Sequence, residues 1–233
     1  MDDIAGIEKT PDPRKPAGCL FGLVQEVVVL LNEARHPDCP PELLAQLAED
    51  ESGEVRKAEA ERPGCPVSVL EALSRDDDES VRLAVAEHPD CPPSILEHLA
   101  KSESTQMRWS VLRNPNCPSR ISARLAQDDD GFMRHCAALS SNCPSSTLVA
   151  LAKDEEAQVR WSVAKAPRCP SSVLVGLLHD SDDPVRLAAA QNPNLDSETI
   201  ATVVSELDET AREVILARDD VADHVKATIA LTY

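Results

Sequence analysis

Six cysteines stand at positions 39, 65, 91, 117, 143 and 169, each 26 residues after the last, and the next step lands on Leu195. One phrase surrounds them: His36-Pro37-Asp38-Cys39-Pro40, Arg62-Pro63-Gly64-Cys65-Pro66, His88-Pro89-Asp90-Cys91-Pro92, Asn114-Pro115-Asn116-Cys117-Pro118, Ser140-Ser141-Asn142-Cys143-Pro144 and Ala166-Pro167-Arg168-Cys169-Pro170. An arginine keeps the same beat at Arg56, Arg82, Arg108, Arg134, Arg160, Arg186 and Arg212. A fixed period of about 20 to 50 residues is the signature of a solenoid, whose units bury their apolar faces only against their neighbours. Seven such units run from Arg35 to Leu216.

The unit from Lys165 to Ala190 serves for all. Its Pro-x-Cys-Pro turn places Pro170 in the first turn of a helix, where a missing N–H costs nothing. Val173, Leu174, Leu177 and Leu178 recur at helical spacing and form a first apolar face. After the acidic break His179-Asp180-Ser181-Asp182-Asp183, Asp180 or Asp182 can accept from the free amides of a second helix. That helix turns Val185, Ala188 and Ala189 inward, small residues that let neighbours approach closely. Asn192-Pro193 ends it, because the residue before proline is pushed out of the helical region. Two short helices per unit and no strand-like alternation predict an all-α solenoid without β-sheet. At about 10 Å per helix layer it is a curved rod of about 70 Å.

The ends read as caps. Residues 1–18 are a charged, proline-containing tail, disordered or extended, with no signal peptide. Residues 19–34 are predicted to form a helix covering the N-terminal face of the solenoid, residues 35–216. Its most apolar part, 19–31, contains Gln25 and Glu26 and is shorter than the roughly 20 residues of a spanning helix. In the seventh repeat Leu195 replaces cysteine and Asp196 replaces proline, and residues 217–233 form a C-terminal capping helix presenting Val221, Val225 and Ile229. With no export signal, the expected compartment is the reducing cytoplasm, where cysteines stay as thiols.

The repeat unit, Asn-Pro-x-Cys-Pro-x-x-Leu-Leu-x-x-Leu-Ala-x-Asp-x-Asp-x-x-Val-Arg-x-Ala-Val-Ala, resembles the leucine-rich repeat variant family of bacteria, over residues 35–216. The resemblance implies a right-handed superhelix and leaves room for one helix of each pair to be 3-10. Some members of that family carry an N-terminal iron–sulfur domain bound by clustered cysteines. The first 34 residues here hold only Cys19, so no cluster is carried over.

The repeated cysteines are expected to be core thiols. Equivalent positions in adjacent layers lie about 10 Å apart, beyond the ~7 Å Cα limit of a disulfide and too far for thiolates sharing a metal. No Cys-x-x-Cys occurs, and Cys136, off the beat, takes a slot held elsewhere by Ala58, Ala84, Ser110, Ser162 and Ala188. The histidines at 36, 88, 98, 135, 179 and 224 show no i, i+4 pair, so neither metal nor cofactor is expected. The arginine ladder reads as structural, each guanidinium pairing with an aspartate of the preceding turn in its own or the adjoining layer, with Asp50, Asp76, Asp128, Asp154 and Asp180 available. The turns between helices hold about half of the 41 acidic residues along one edge, as caps and as a solubilising ridge.

The position after each ladder arginine is the candidate partner-binding column. It reads Lys57, Leu83, Trp109, His135, Trp161, Leu187, Glu213: an apolar stripe across the five middle layers with charges at its ends. Tryptophan and arginine dominate interface hot spots. A net charge of −18 argues against nucleic acid and anionic membranes and favours basic partners. With no Gly-x-Ser-x-Gly, Walker loop, Rossmann fingerprint or zinc-protease motif, the chain reads as a non-catalytic interaction scaffold for a protein or peptide. A metal- or redox-linked accessory protein of the family just named is the alternative. A helical-repeat enzyme, lacking a basic groove or an acid–base pocket, stands third.

Overall fold

The computed structural model describes residues 41–231. Cys39, the phrase around it, the tail 1–18 and the expected capping helix 19–34 lie outside the described residues. Those described form 15 α-helices and one 3-10 turn, with no strand among them. The helices alternate short and long. First helices are α1 (Pro41–Leu47), α3 (Val67–Leu73), α5 (Pro93–Leu99), α7 (Ser119–Leu125), α9 (Ser145–Leu151), α11 (Ser171–Leu177) and α13 (Ser197–Val203). Second helices are α2 (Gly53–Ala60), α4 (Glu79–Glu87), α6 (Thr105–Arg113), α8 (Gly131–Leu139), α10 (Ala157–Lys165), α12 (Asp183–Gln191) and α14 (Glu209–Leu216), and α15 (Asp223–Ala230) follows. Both helices of each pair are α, so the 3-10 alternative admitted by the resemblance is not adopted; the 3-10 turn, Val204–Glu206, lies in the seventh repeat.

Proline starts the five first helices from α3 to α11 from one position further out than the sequence implied. Pro66, Pro92, Pro118, Pro144 and Pro170 are N-cap residues with extended ψ, and Pro170 O accepts from both Val173 N and Leu174 N. At that place the ring's fixed φ still suits the turn into the helix. Side-chain caps serve the second helices: Asp78 accepts from Ser80 N, Ser104 from Met107 N and Asp130 from Phe132 N. Asp182 caps by backbone position, and Asp180 accepts from its amide.

The core is a continuous row of Leu, Ile, Val, Met and Ala with one thiol in each layer from Cys65 to Cys169. Leu174, Leu177, Leu178, Val185, Ala188 and Ala189 are buried, while Val173 is half-buried at the edge. Second helices lie directly against one another from α2 to α14, whereas successive first helices stand further apart. The cause is side-chain size, since the second helices face each other with residues such as Ala84, Ala137, Ala138 and Ala188. A stack spaced more closely on one side bends toward it, so the second helices line the inner curve. At the C-terminal end, Leu195 is fully buried in the thiol slot, Asp196 caps α13 through Thr199 N, and Val221, Val225 and Ile229 are buried beneath α15.

Two polar ladders bind the layers together. In the first, Arg134 donates Nη1 to the carbonyls of its own turn, Asp128 and Asp129, and Nε and Nη2 to Asp154 of the next turn at 2.7 and 3.0 Å. Arg56 reaches Asp76 and Arg160 reaches Asp180 in the same way. The carboxylate partner thus stands 20 residues after the arginine, in the following layer rather than the preceding turn, which supplies only carbonyls. Each aspartate also accepts from the amide two residues on, so one side chain both shapes its turn and ties it to the layer before. In the seventh layer Asp208 takes this part for Arg186.

The second ladder uses the residues before the thiols. Asn114 Nδ2 donates to Ala86 O and His88 O, and Asn192 Nδ2 to Ala164 O and Ala166 O. Asn116, Asn142 and Asn194 repeat the pattern one step outward, and His88 Nε2 bonds Arg62 O. Of these carbonyls, His88 O, Ala166 O and Arg62 O also accept from the cysteine amides three residues on, whereas Ala86 O and Ala164 O, at the ends of second helices, depend on the asparagine.

Candidate functional site

The column that follows the ladder arginines lies on the exposed face of the second helices. Lys57, Leu83, Trp109, His135, Trp161 and Leu187 are half-buried, and Glu213 is exposed. Leu83 and Trp161 lean on the core. The ladder arginine fixes this placement. It points to the turns, and the next residue, 100° further round the helix, faces outward.

The column does not act as one unbroken stripe; its centre is a groove between α6 and α8. Trp109, Arg113, Phe132, His135, Cys136 and Leu139 line a groove of about 480 Å³. Phe132 is 51% exposed and Leu139 39%, large apolar side chains left at a concave surface. Arg113 lies over Trp109, its Cζ 4.6 Å from the ring centroid, a cation–π contact that holds the indole's outer face. Phe132 stacks on His135 at 6.1 Å and His135 on Trp161 at 6.3 Å, so three rings run from the groove toward the next layer. His135 is held by a short hydrogen bond between Nδ1 and Ser162 Oγ, whose own proton goes to Gln158 O. Ser162 is fully buried and its hydroxyl is committed to this bonding.

Phe132, Leu139 and Arg113 were not singled out by the column argument. Their own columns otherwise hold no large apolar residue: Glu54, Ser80, Gln106, Gln158, Pro184 and Thr210 for Phe132, and Glu61, Glu87, Arg113, Lys165, Gln191 and Ala217 for Leu139. A lone large apolar residue in such a column is the signal that would have found them. On α6, α8 and α10 these outward columns carry Gln106, Arg113, Gln158 and Lys165 with no carboxylate. The acids stay at the turn edge, where Asp129, Asp130, Glu155 and Glu156 are exposed.

The thiols belong to the packing. Cys65, Cys91, Cys117, Cys143 and Cys169 are buried and free, each donating weakly to the carbonyl of the following proline. Burial pushes the Cys91 and Cys169 thiols up to about 12, keeping them protonated and poor as nucleophiles or metal ligands. Cys136 is half-buried at the groove and is raised to about 11 by desolvation and then by Asp130. Among the described residues no three His, Cys, Asp or Glu side chains converge on a point that could hold a metal ion. One buried charge stands apart. Glu59 occupies a slot of the Val85 and Val111 column, is fully buried, and has one carboxylate oxygen without a hydrogen bond. Desolvation raises it to about 7 against the pull of Arg62 and the Cys65 thiol.

Among the described residues no helix is long and apolar enough to cross a membrane. A family model described as leucine rich repeat variant matches residues 80–103. A solved structure described as a leucine-rich repeat variant with a novel repetitive protein structural motif is similar at 28% identity and a TM-score of 0.58, covering 91% of this chain and 83% of that one. An X-ray structure of the Escherichia coli protein YibA aligns over 95% of this chain and 94% of that one, at 17% identity and a TM-score of 0.47. No curated protein matches the sequence. The 26-residue period, the paired helices and the likeness to the first of these structures agree with the family match, and the chain is similar in sequence repeat and fold to the leucine-rich repeat variant proteins.

Proposed function

We propose that this repeat scaffold is a non-catalytic interaction protein that takes a segment of a protein partner on the inner face of its second helices, anchored in the groove between α6 and α8. The observation that carries this reading is the exposure of Phe132 and Leu139 beside the Arg113-capped Trp109 in a concave groove. Monomers keep few large apolar side chains exposed together, and a ring of Trp, Phe and Arg is the composition of an interface anchor. An aliphatic or aromatic side chain of the partner fills the groove, and Leu83, His135, Trp161 and Leu187 extend the contact along the inner curve. The charge of −18, concentrated at the turn edge, speeds encounter with a partner of net positive charge. The committed hydroxyl of Ser162 and the protonated, buried thiols support a binding role over a catalytic or metal-linked one. We place the protein in a reducing compartment on the same thiols.

The test is affinity capture with quantitative mass spectrometry, comparing the wild-type chain with Trp109→Ala/Phe132→Ala. Loss of one or a few specific partners is expected. An unchanged partner list in a variant with wild-type circular dichroism would sink the assignment of this face.

A further inference from the structure

We propose that Ser102 is a phosphorylation site, and that its phosphate completes a rung of the arginine ladder that lacks its carboxylate, by binding Arg82.

Three other rungs define what is missing. Arg56, Arg134 and Arg160 each present Nε and Nη2 to both oxygens of the aspartate 20 residues later. Arg82 is held in the same pose by its own turn, Nη1 donating to Asp76 O and to Asp77 O, the latter at 2.9 Å. The residue 20 positions on is Ser102, and Nε and Nη2 of Arg82 have no acceptor among the described residues. Ser102 Oγ accepts from Ser104 N at 3.2 Å, the bond that Asp76 and Asp154 make in their turns. Serine therefore keeps the turn but supplies neither the second oxygen nor the charge. By the register of the other rungs, the half-buried guanidinium of Arg82 is matched to a hydroxyl where they are matched to a carboxylate.

A phosphate ester supplies what the hydroxyl lacks. It adds three acceptor oxygens and about −1.5 to −2 charge, and arginine's planar fork binds phosphate oxygens in pairs. A second guanidinium is close, since Arg108 Nη1 donates to Ser102 O at 3.0 Å and Glu103 O at 2.8 Å. Asp76 is flanked in the same way by Arg56 and Arg82. A free oxyanion is a weaker candidate, because a chain of net charge −18 repels it, whereas a phosphate tethered at Ser102 is already at the fork. In the modification itself, Ser102 Oγ attacks the γ-phosphorus of a nucleoside triphosphate bound by a protein kinase. The bond from that phosphorus to the β-phosphate oxygen breaks, the hydroxyl proton passes to the kinase's base, and the nucleoside diphosphate leaves. Ser102 lies in the partly exposed turn between α5 and α6, so the new rung stiffens the layer that carries Trp109.

The experiment uses the full chain with phosphoserine installed at position 102, the unmodified chain, and both again with Arg82→Gln. The phosphorylated chain should melt about 2–4 °C higher than the unmodified one, and the phosphate should titrate at least half a unit below its usual value of about 6 by phosphorus NMR. Both effects should vanish with Arg82→Gln. Ser102→Asp, which installs the carboxylate of the other rungs, should give part of the thermal gain, again only with Arg82 present. No gain, or a gain independent of Arg82, overturns the proposal. So does an equal, Arg82-dependent gain when inorganic phosphate is added to the unmodified chain at matched ionic strength, because the site then serves a free anion. Peptide mass spectrometry of the protein from its own cells should find phosphate on Ser102; a serine never modified there overturns the assignment.

Discussion

Replacing Asp154 with asparagine removes the charge from one rung of the ladder while keeping its shape. The Arg134 and Asp154 side chains are only 12% and 8% exposed and meet through two bonds of 2.7 and 3.0 Å. A charge-assisted bond contributes about 1.5–3 kcal/mol, and breaking a buried pair outright costs about 3–5 kcal/mol. Arg134 retains the carbonyls of Asp128 and Asp129 and the exposed carboxylate of Glu156, so the loss falls to about 2 kcal/mol. Urea unfolding at pH 7 should report that loss, with a coupling of at least about 1 kcal/mol in a double-mutant cycle with Arg134→Gln. The dependence on pH sharpens the test. Burial raises the Asp154 carboxyl, but the Arg134 bond and the Glu156 amide outweigh it, and the folded value lies below the usual carboxylate range. A depressed folded pKa contributes stability that is fully present above about pH 4, the unfolded value, and is lost as pH falls through the folded one. The cost of Asp154→Asn should therefore shrink toward zero near pH 2. A cost under about 0.5 kcal/mol at pH 7, or one that ignores pH, would refute the claim that the ladder holds the layers together.

Glu59 runs the other way. Its folded pKa of about 7 lies above the unfolded value of about 4.3, so its contribution is present at low pH and lost as pH rises between them. Glu59→Gln should raise the melting temperature, and by more at pH 8 than at pH 5, a difference that scanning calorimetry reads. Asn114→Ala leaves the buried Ala86 O without its donor, while His88 O keeps Cys91 N, and should cost about 1–3 kcal/mol in urea unfolding, against a few tenths for Asn116→Ala, whose bonds lie nearer solvent. Phe132→Ala, at a side chain half in solvent, should change stability by less than about 1 kcal/mol in the same assay while weakening partner capture.

The architecture was legible because a solenoid repeats its instructions. The thiol and the proline before the first helix recur six times at the same offset and the ladder arginine seven times, and a signal repeated so often survives local variation. What escaped depends on contacts between layers. Asn114 and Asn192 read as turn residues before proline, and nothing in one repeat says that their amides reach carbonyls 26 and 28 residues back. The direction of the arginine rungs escaped for the same reason, since Asp128, 6 residues before Arg134, and Asp154, 20 after it, both keep the beat but only the latter meets its fork. At the groove, repetition misleads. Trp109 and Trp161 share a column and drew notice together, yet the groove is built by Phe132 and Leu139, which depart from their columns. Function in a repeat protein lies where the pattern is broken, and Ser102 in a column of aspartates is a second instance.

The central claim is that a partner segment seats between α6 and α8 on the inner curve. A photo-crosslinking amino acid at position 132 tests it directly, with position 149 on α9, where Val149 is 45% exposed on the outer helix layer, as the control. Irradiation in cells should yield one or a few discrete adducts from position 132 and none of them from 149. The same adducts from both positions, or adducts from 149 alone, would contradict the account.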